Sequence, residues 1–209
     1  LYLPDQIFHM LPPKLSEACS LGSGERSNAV SIGFILYGFE ISDIQIQLSQ
    51  IKVTKMSYEE ADKALKKNKS LSKLNEIAKA HKIFRTQNGA IRLNLPKVDL
   101  KLKGQKVQIV PQSNNESREL VAEMMVLAGR VIAQFSIENN ISMPYLSQAP
   151  GKFSDEIINN INNLSPAKAF EASKGFSRSK LSVKPSEHSG LGLDAYLRVT
   201  SPMRRYLDL

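Results

Sequence analysis

The sequence contains a single cysteine, Cys19, three histidines and no tryptophan among its 209 residues. One cysteine excludes a disulfide framework within the chain, and with three scattered histidines it provides no ligand set of the spacing that zinc requires. No apolar run approaches the roughly eighteen residues that span a bilayer, and no signal peptide opens the chain. These absences predict a protein of the cytoplasm, or another reducing compartment, without a membrane partner.

Clustered carboxylates are also missing. The aspartates are dispersed, with no Asp-x-Asp pair anywhere in the chain, so we expect no metal ligands within it. The chain is nevertheless strongly basic, with a formal net charge of +8. That balance favours a polyanionic partner, namely RNA, DNA or an anionic membrane surface. A hydrophobic content of 42% is enough for a packed core.

Hydrophobic spacing predicts strands in the first half of the chain and helices throughout. Residues 29–39 form an apolar run typical of a buried strand, and residues 44–48 alternate as a half-buried strand does. A phase slip before Ile51 and Val53 indicates a bulge or a change of sheet face. Residues 91–95 alternate again, and residues 98–109 are typical of a hairpin around Gly104. Strands followed by helices predict a mixed α/β (α+β) domain, with a sheet surrounded by helices.

Several serines mark helix starts. Ser57 and Glu60 have the spacing of a capping box, and a second helix is predicted over residues 70–85. Ser117 is predicted to cap the longest helix, which is apolar nearly all round, runs to about Ile137 and should therefore be buried. Shorter helices are expected over 154–164 and from 165 onward.

The last 22 residues carry the most functional information. Thr200-Ser201-Pro202 has the composition of a capped helix start, which would place Arg204 and Arg205 in the first turn. Free N–H groups, the helix dipole and guanidinium donors together favour an anion such as a phosphodiester. A capped helix with a solvated arginine pair has the same pattern, so the spacing alone leaves both interpretations open.

The same segment resembles a known signature. Gly190-Leu-Gly-Leu-Asp-Ala-Tyr196 followed by Thr200-Ser-Pro-Met-Arg-Arg-Tyr-Leu-Asp-Leu209 is similar to the RNB catalytic domain of the RNase II/RNase R exoribonucleases. The motif is long and irregular, which makes chance agreement improbable. Further matches occur in the family's order over the whole chain: Tyr2-Leu-Pro-Asp5, residues 10–21, Gly89-Ala-Ile91 and residues 119–128.

The resemblance implies roles for residues in two parts of an RNA channel. Tyr2 matches a tyrosine that stacks on a base near the RNA 3′ end, a contact worth about 1–3 kcal/mol for any base. Leu93 stands where the family usually has a second aromatic clamp, and leucine has no π-face. Tyr58 and Glu123 match the pair that selects ribose, in which a carboxylate accepts the 2′-OH hydrogen. Without the resemblance, the residues alone favour a structural ion pair of Glu123 with Arg118 or Arg130 over a substrate contact.

Arg204 matches the family arginine that acts on the scissile phosphate, where it offsets transition-state charge. Arg205 is interpreted as a backbone-positioning or structural residue. His188 is a candidate contact for phosphate or base, although a lone histidine is commonly packed or solvated. A run of lysines forms a candidate RNA-tracking face or, alternatively, an ordinary solvated face: Lys63, Lys66, Lys67, Lys69, Lys73, Lys79 and Lys82.

Taken together, the resemblance implies that residues 1–209 are a partial RNB-type catalytic domain. The intact enzyme would hydrolyse single-stranded RNA from its 3′ end to nucleoside 5′-monophosphates with Mg²⁺, and would not be expected to act on DNA. The family's Asp-rich metal motif precedes the Tyr-Leu-Pro segment, and neither it nor the flanking OB-type modules match this chain. We therefore expect the isolated fragment to be inactive. The alternatives are a non-catalytic RNA-binding or regulatory protein that retains the fold and, less favoured, an adaptor for a membrane surface.

Overall fold

The computed structural model describes residues 3, 5–93, 95, 98–104, 106–112 and 115–208, apart from the side chain of Asn162. Six helices and six strands occur in these ranges: α1 (Pro13–Ala18), β1 (Ser27–Tyr37), β2 (Glu40–Ile51), α2 (Tyr58–Leu65), α3 (Lys69–Gln87), β3 (Val98–Lys103), β4 (Lys106–Pro111), α4 (Glu116–Glu138), β5 (Tyr145–Ser147), α5 (Asp155–Asn159), α6 (Pro166–Ser173) and β6 (Lys180–Ser182). Short 3₁₀ turns cover Ile161–Asn163, Ser189–Leu191, Pro202–Arg204 and Tyr206–Asp208.

The mixed α/β class predicted from the sequence is confirmed. In the described ranges the strands form three separate antiparallel pairs, β1–β2, β3–β4 and β5–β6, rather than one sheet surrounded by helices. The hairpin over residues 98–109 is confirmed as β3–β4. The expected strand over residues 91–95 is absent from the part of that stretch that the structure describes. Alternating apolar residues can also pack as an irregular segment, so period alone does not decide pairing.

The β1–β2 hairpin lies against α4 through one face. Ile32, Phe34 and Leu36 pack on α4 residues such as Leu127 and Val131, and the other face is open to solvent, so the prediction of a buried strand is half wrong. The strand register shifts between Gly33 and Ile35, where the partner strand has Asp43 at a φ of 49°. The predicted bulge before Ile51 is therefore misplaced, because pairing continues unbroken there.

The capping box of α2 is confirmed. The Ser57 hydroxyl accepts a hydrogen bond from the Glu60 amide at 3.2 Å, and the Glu60 carboxylate accepts from the Ser57 amide at 2.7 Å. Helix α3 contains the predicted residues 70–85 and extends one residue before them and two residues after them. At its start, the Asn68 side chain accepts hydrogen bonds from the Ser70 and Leu71 amides. Local capping chemistry thus determines where both helices begin.

Ser117 does not cap α4, which begins at Glu116. Instead Asp62 of α2 accepts hydrogen bonds from the Ser117 amide at 2.8 Å and from the Asn115 side chain at 2.7 Å. The Ser117 hydroxyl donates to the Tyr58 carbonyl oxygen at 3.0 Å. A carboxylate from a neighbouring helix satisfies the free amides and complements the positive helix end. These bonds hold the pKa of Asp62 below its ordinary value.

Helix α4 is the centre of the core. Its Ile132 and Ala133 pack with Tyr145 and Leu197, while Val131 packs towards the β1–β2 hairpin. By length and composition α4 is also the one helix of the described ranges that qualifies as a membrane span, contrary to the sequence expectation. Packing on several sides explains an apolar composition of this kind equally well.

Candidate nucleic-acid interface

The terminal segment, residues 188–208, lies directly on α4. A Cβ at Gly129 of α4 would stand 2.2 Å from the Leu197 carbonyl oxygen, and the Leu197 amide donates to the Gly129 carbonyl at 3.3 Å. The Tyr196 carbonyl accepts from the Leu146 amide at 2.9 Å. Gly129 therefore permits a backbone approach that any other residue would block.

A second attachment joins the terminal segment to the end of α3. Gly192 has a φ of +63°, and a Cβ there would lie 2.3 Å from the Arg85 carbonyl oxygen. The Arg85 guanidinium also donates through Nη1 to the Leu191 carbonyl oxygen at 3.0 Å. The glycine-rich turn and the last turns of α3 are thus one packed unit.

Arg85 is held from its other side by Glu123. Its Nε donates to the Glu123 Oε2 at 3.1 Å, and its Nη2 forms an ion pair with Oε1. The His81 Nδ1 lies 3.3 Å from the same Oε2. Glu123 is only 4% exposed, so a bidentate partner is what makes its burial tolerable. We call His81, Arg85 and Glu123 the buried triad.

The expected alternative partners of Glu123 lie elsewhere. The Arg118 guanidinium stacks over the Tyr58 ring at 4.0 Å, and that of Arg130 lies over Phe84 at 4.5 Å and donates to the Phe39 carbonyl at 2.8 Å. The ion-pair hypothesis was therefore right about the type of contact and wrong about both partners. Arg130, seven residues after Glu123, also faces α3, but it contacts the Phe84 ring there rather than the carboxylate.

Charge in the buried triad favours an ionised carboxylate. Burial acts to raise the pKa of Glu123, but hydrogen bonds from His81 and Arg85, with the charge of Arg85, bring the pKa below its ordinary value of 4.5. Because the carboxylate is ionised, the His81 Nδ1 acts as the donor. The His81 Nε2 is buried and has no hydrogen-bond partner among the described residues.

Tyr58 and Thr200 border an apolar groove between α2, α3 and α4. Its cavity volume is about 480 Å³. The lining residues are almost all apolar or hydroxyl-bearing: Met56, Ser57, Tyr58, Ala61, Leu71, Leu74, Ser117, Leu120, Val121, Met124, Met125 and Thr200. Such a surface suits a flat apolar group with a few hydroxyl contacts at the rim, as a nucleoside has.

The arginine turn differs from the predicted capped helix. Ser201 is left-handed, with a φ of 57° and no side-chain cap, and Pro202–Arg204 is a single 3₁₀ turn. Arg205 donates to the Arg198 carbonyl at 2.6 Å and pairs with Asp208, which agrees with a structural role. Arg204 is exposed, and its side chain has no hydrogen bond or ion pair within the described ranges. A left-handed residue before Pro202 stops a cap from forming, because the hydroxyl no longer faces the free amides.

His188 is buried and meets the Tyr196 ring edge-on, with ring centroids 5.7 Å apart. Its Nδ1 has no partner among the described groups. Burial lowers the pKa of His188, and the charges of Arg198 and Arg85 lower it further. The imidazole is therefore neutral at physiological pH, and its proposed contact with phosphate or base stays a prediction.

Of the two residues matched to the family's base-stacking clamps, the structure describes only Leu93. Leu93 is half-buried in an irregular stretch after α3, and Tyr2 lies outside the described residues. Sequence reasoning missed His81 and Arg85 altogether. Their spacing of four residues places them on one face of α3, which is a usable signal, but only the packing of α3 on α4 identifies Glu123 as their common partner.

Within residues 3–208, as far as they are described, no three His, Cys, Asp or Glu side chains lie close enough to hold a metal ion. The described residues therefore do not fit a magnesium site. They present instead an exposed arginine, Arg204, four residues after Thr200, which lines the apolar groove. That combination defines a mixed α/β domain with a surface suited to an anionic, partly apolar ligand.

The chain belongs to the RNB domain family, whose model matches residues 1–209. It is 37% identical over its full length to an uncharacterized ribonuclease of Synechocystis, and 29% identical to the chloroplastic/mitochondrial ribonuclease II of Arabidopsis thaliana. It covers 33% and 28% of these two proteins, so it spans about a third of the curated relatives that it matches. The family comprises exoribonucleases of the RNase II/R type.

Solved structures share the fold. The Dss1 exoribonuclease of Candida glabrata matches with a TM-score of 0.84 and 26% identity, over 99% of this chain and 30% of that one. RNase R of Mycoplasma genitalium, in complex with ribose-methylated single-stranded RNA, matches at 0.79 and 19% over 96% of this chain and 38% of its own. Yeast Ssd1, a pseudonuclease, matches at 0.68 and 17% over 99% and 31%.

Proposed function

We propose that this chain forms the RNA-holding part of the catalytic domain of a 3′→5′ exoribonuclease. The intact enzyme would hydrolyse single-stranded RNA to nucleoside 5′-monophosphates in the cytoplasm or another reducing compartment. Magnesium would supply the activated water and charge neutralisation, held by residues outside those described here. Family membership and the RNA complex of a structural neighbour support RNA as the substrate.

The observation that carries the proposal is the state of Arg204. Arg85, Arg118, Arg130 and Arg205 are each engaged by another part of the chain. Arg204 is exposed, and no partner for it occurs in the described part of the chain. It follows Thr200, which lines the groove, by four residues, and its guanidinium is available to offset charge that develops on a phosphate oxygen.

The groove would receive the nucleotide next to that phosphate. Tyr58 and Thr200 offer an aromatic ring and a hydroxyl on its rim. Arg118 lies over the Tyr58 ring and so holds its orientation. Both carboxylate oxygens of Glu123 are engaged by Arg85 and His81. Glu123 therefore affects the groove by fixing the position of α4 rather than by direct contact. Ribose selection by Tyr58 and Glu123 remains our proposal.

The first prediction concerns Arg204→Ala in the intact protein. We expect kcat to fall about 10²–10³-fold, as for loss of one preorganised donor, while RNA affinity is mostly retained. The measurement is single-turnover hydrolysis of a labelled RNA together with its equilibrium binding. Arg178→Ala is the matched control, since Arg178 is also exposed and has no ion pair within the described ranges.

Equal losses of turnover and affinity in Arg204→Ala would reduce Arg204 to a binding residue. A second candidate function is non-catalytic RNA binding, favoured by the occurrence of this fold in the pseudonuclease Ssd1. In that case the intact protein binds RNA and releases no mononucleotides in Mg²⁺. The presence of an Asp cluster in the intact protein, with mononucleotide release, would instead favour the nuclease.

A further inference from the structure

A compact group of lysines occupies the junction between α2 and α3. Lys63, Lys66, Lys67 and Lys69 fall within seven residues, and we call them the lysine corner. Three of them, Lys66, Lys67 and Lys69, line a concave surface of about 290 Å³ that includes Asn68, Ser72, Lys73 and Glu76. No large exposed hydrophobic residue belongs to this surface among those described.

The structure divides the lysines of these helices into two sets. Lys79 pairs with Glu116 and Lys82 with Glu119 at 2.7 Å, so these two join α3 to α4. Lys73 pairs with Glu76 at 3.0 Å. Within the described ranges no member of the lysine corner takes part in an ion pair. The charges of the corner are therefore not used to hold the fold together.

Most of the acids near the corner are engaged by groups outside it. Glu60 accepts from the Ser57 amide, and Asp62 accepts from the start of α4. Glu76 pairs with Lys73 on the corner's own surface, and exposed Glu59 lies in the first turn of α2, four residues before Lys63. In addition to the hydrogen bonds that Glu60 and Asp62 accept, the charges of Lys63 and Lys66 help to lower the pKa of these two carboxyl groups. The interleaved acids therefore offset the corner in part, although the hydrogen bonds of Glu60 and Asp62 are made to other groups.

Helix electrostatics explain only part of the corner. Lys63 lies in the last turn of α2 and Lys66 is its C-cap, where a cation complements the helix dipole. Lys69 is the first residue of α3, whose first turn contains no acid, and a cation at this end opposes the dipole and costs stability. A lysine kept at this place without an ion pair among the described residues is consistent with a role in binding rather than in folding.

We propose that the lysine corner binds the phosphodiester backbone of RNA as a second contact, separate from the groove. Leu71 and Leu74 of α3 line the groove, whereas Ser72, Lys73 and Glu76 line the corner, so the two surfaces lie on different faces of the same helix. A polar surface of ammonium groups suits phosphates of any sequence. A membrane surface is less favoured because interfacial binding uses exposed apolar residues, which the corner lacks. This inference rests on the proposed RNA substrate.

The test is a triple change, Lys66→Gln, Lys67→Gln and Lys69→Gln, in the intact protein. The affinity for a labelled single-stranded RNA is measured from 50 to 200 mM salt. Loss of three phosphate contacts makes the slope of log affinity against log salt less steep by about 2. Raising the salt from 50 to 200 mM should therefore weaken RNA binding by a factor roughly 16-fold smaller in the variant than in the unchanged protein. Thermal unfolding should change little, because the cation removed from the start of α3 opposes a helix dipole whereas the cation removed from the C-cap of α2 complements one.

The matched control is Lys101→Gln, Lys103→Gln and Lys106→Gln on the exposed β3–β4 hairpin, which removes the same charge and should keep the original slope. Equal slope changes in both triple variants would overturn the inference, since net charge alone would then explain them. An unchanged slope in the corner variant, with Arg204→Ala still impaired, overturns the corner and leaves the proposed function intact. Loss of binding to phosphatidylserine vesicles, with RNA binding unchanged, also overturns it in favour of a membrane. Absence of RNA binding by the unchanged protein overturns both.

Discussion

At the scale of single residues, Glu123 shows how a buried charge is tolerated in an apolar helix. Both oxygens of its carboxylate are bound, by Arg85 and His81, and the Arg85 guanidinium also donates a hydrogen bond to the Leu191 carbonyl oxygen. Through Arg85, Glu123 helps to set the position of the terminal segment. A buried carboxylate with this task cannot be exchanged for a neutral group without cost.

The second prediction is that Glu123→Gln destabilises the protein by about 3–5 kcal/mol, the range for breaking a buried ion pair and leaving one partner unpaired. Urea unfolding measures the free energy. Glu25→Gln, at an exposed loop position, is the control and should stay within about 0.5 kcal/mol. If the variant is as stable as the unchanged protein, the buried triad is not the link that we describe.

The third prediction concerns pH. Because the pKa of Glu123 is lower in the folded protein than its ordinary value of 4.5, the unfolded state binds the proton more readily. The resulting stability is complete above the ordinary pKa and is lost as pH falls through the folded pKa. Unfolding free energy measured between pH 7 and pH 3 should therefore decline below about 4.5, and the decline should be shallower in Glu123→Gln. Parallel curves for the two proteins would contradict this assignment.

At the scale of elements, glycines decide how closely segments approach. Gly192 and Gly104 both have a positive φ, +63° and +64°. They differ in surroundings: a Cβ at Gly192 would meet the end of α3, whereas one at Gly104 would meet nothing within 4 Å among described atoms. Comparing alanine substitutions at these two positions therefore separates the cost of backbone strain from the cost of a steric clash.

The fourth prediction follows from that pair. Gly104→Ala should cost about 1–2 kcal/mol, the penalty of a left-handed residue with a Cβ. Gly192→Ala should cost clearly more, because the Arg85 carbonyl lies 2.3 Å from the new atom and the terminal segment must move off α3. Urea unfolding of both variants gives the comparison, and equal costs would show that the turn yields without disturbing Arg85.

The helix boundaries show which structural features can be predicted from local sequence. The α2 capping box and the α3 boundaries were predictable, because the groups that fix them lie within a few residues. The start of α4 was misassigned to Ser117, because the capping carboxylate is Asp62, 55 residues away in sequence. The prediction of a capped helix at Arg204 and Arg205 was wrong for a related reason, because the left-handed conformation of Ser201 has no local sequence signature.

At the scale of the whole molecule, α4 organises the candidate site. The β1–β2 hairpin lies on one side of it, α2 and α3 on another, and the terminal segment on a third. The groove at Tyr58 and the exposed Arg204 are consequences of that arrangement. The lysine corner lies on a different face of the same helix pair, so one scaffold carries both of the surfaces that we propose for RNA.

The sequence by itself determined the mixed class, most helix boundaries, the basic balance and, through the terminal motif, the RNB family that the full-length match confirms. These depend on neighbouring residues or on a long irregular pattern. Tertiary structure alone decided that the described strands form three separate antiparallel pairs and that Glu123 binds Arg85 and His81. It also decided that Arg205 is engaged while Arg204 has no partner among the described residues. Those outcomes depend on which helix faces meet, and periodicity within one segment does not encode a partner in another.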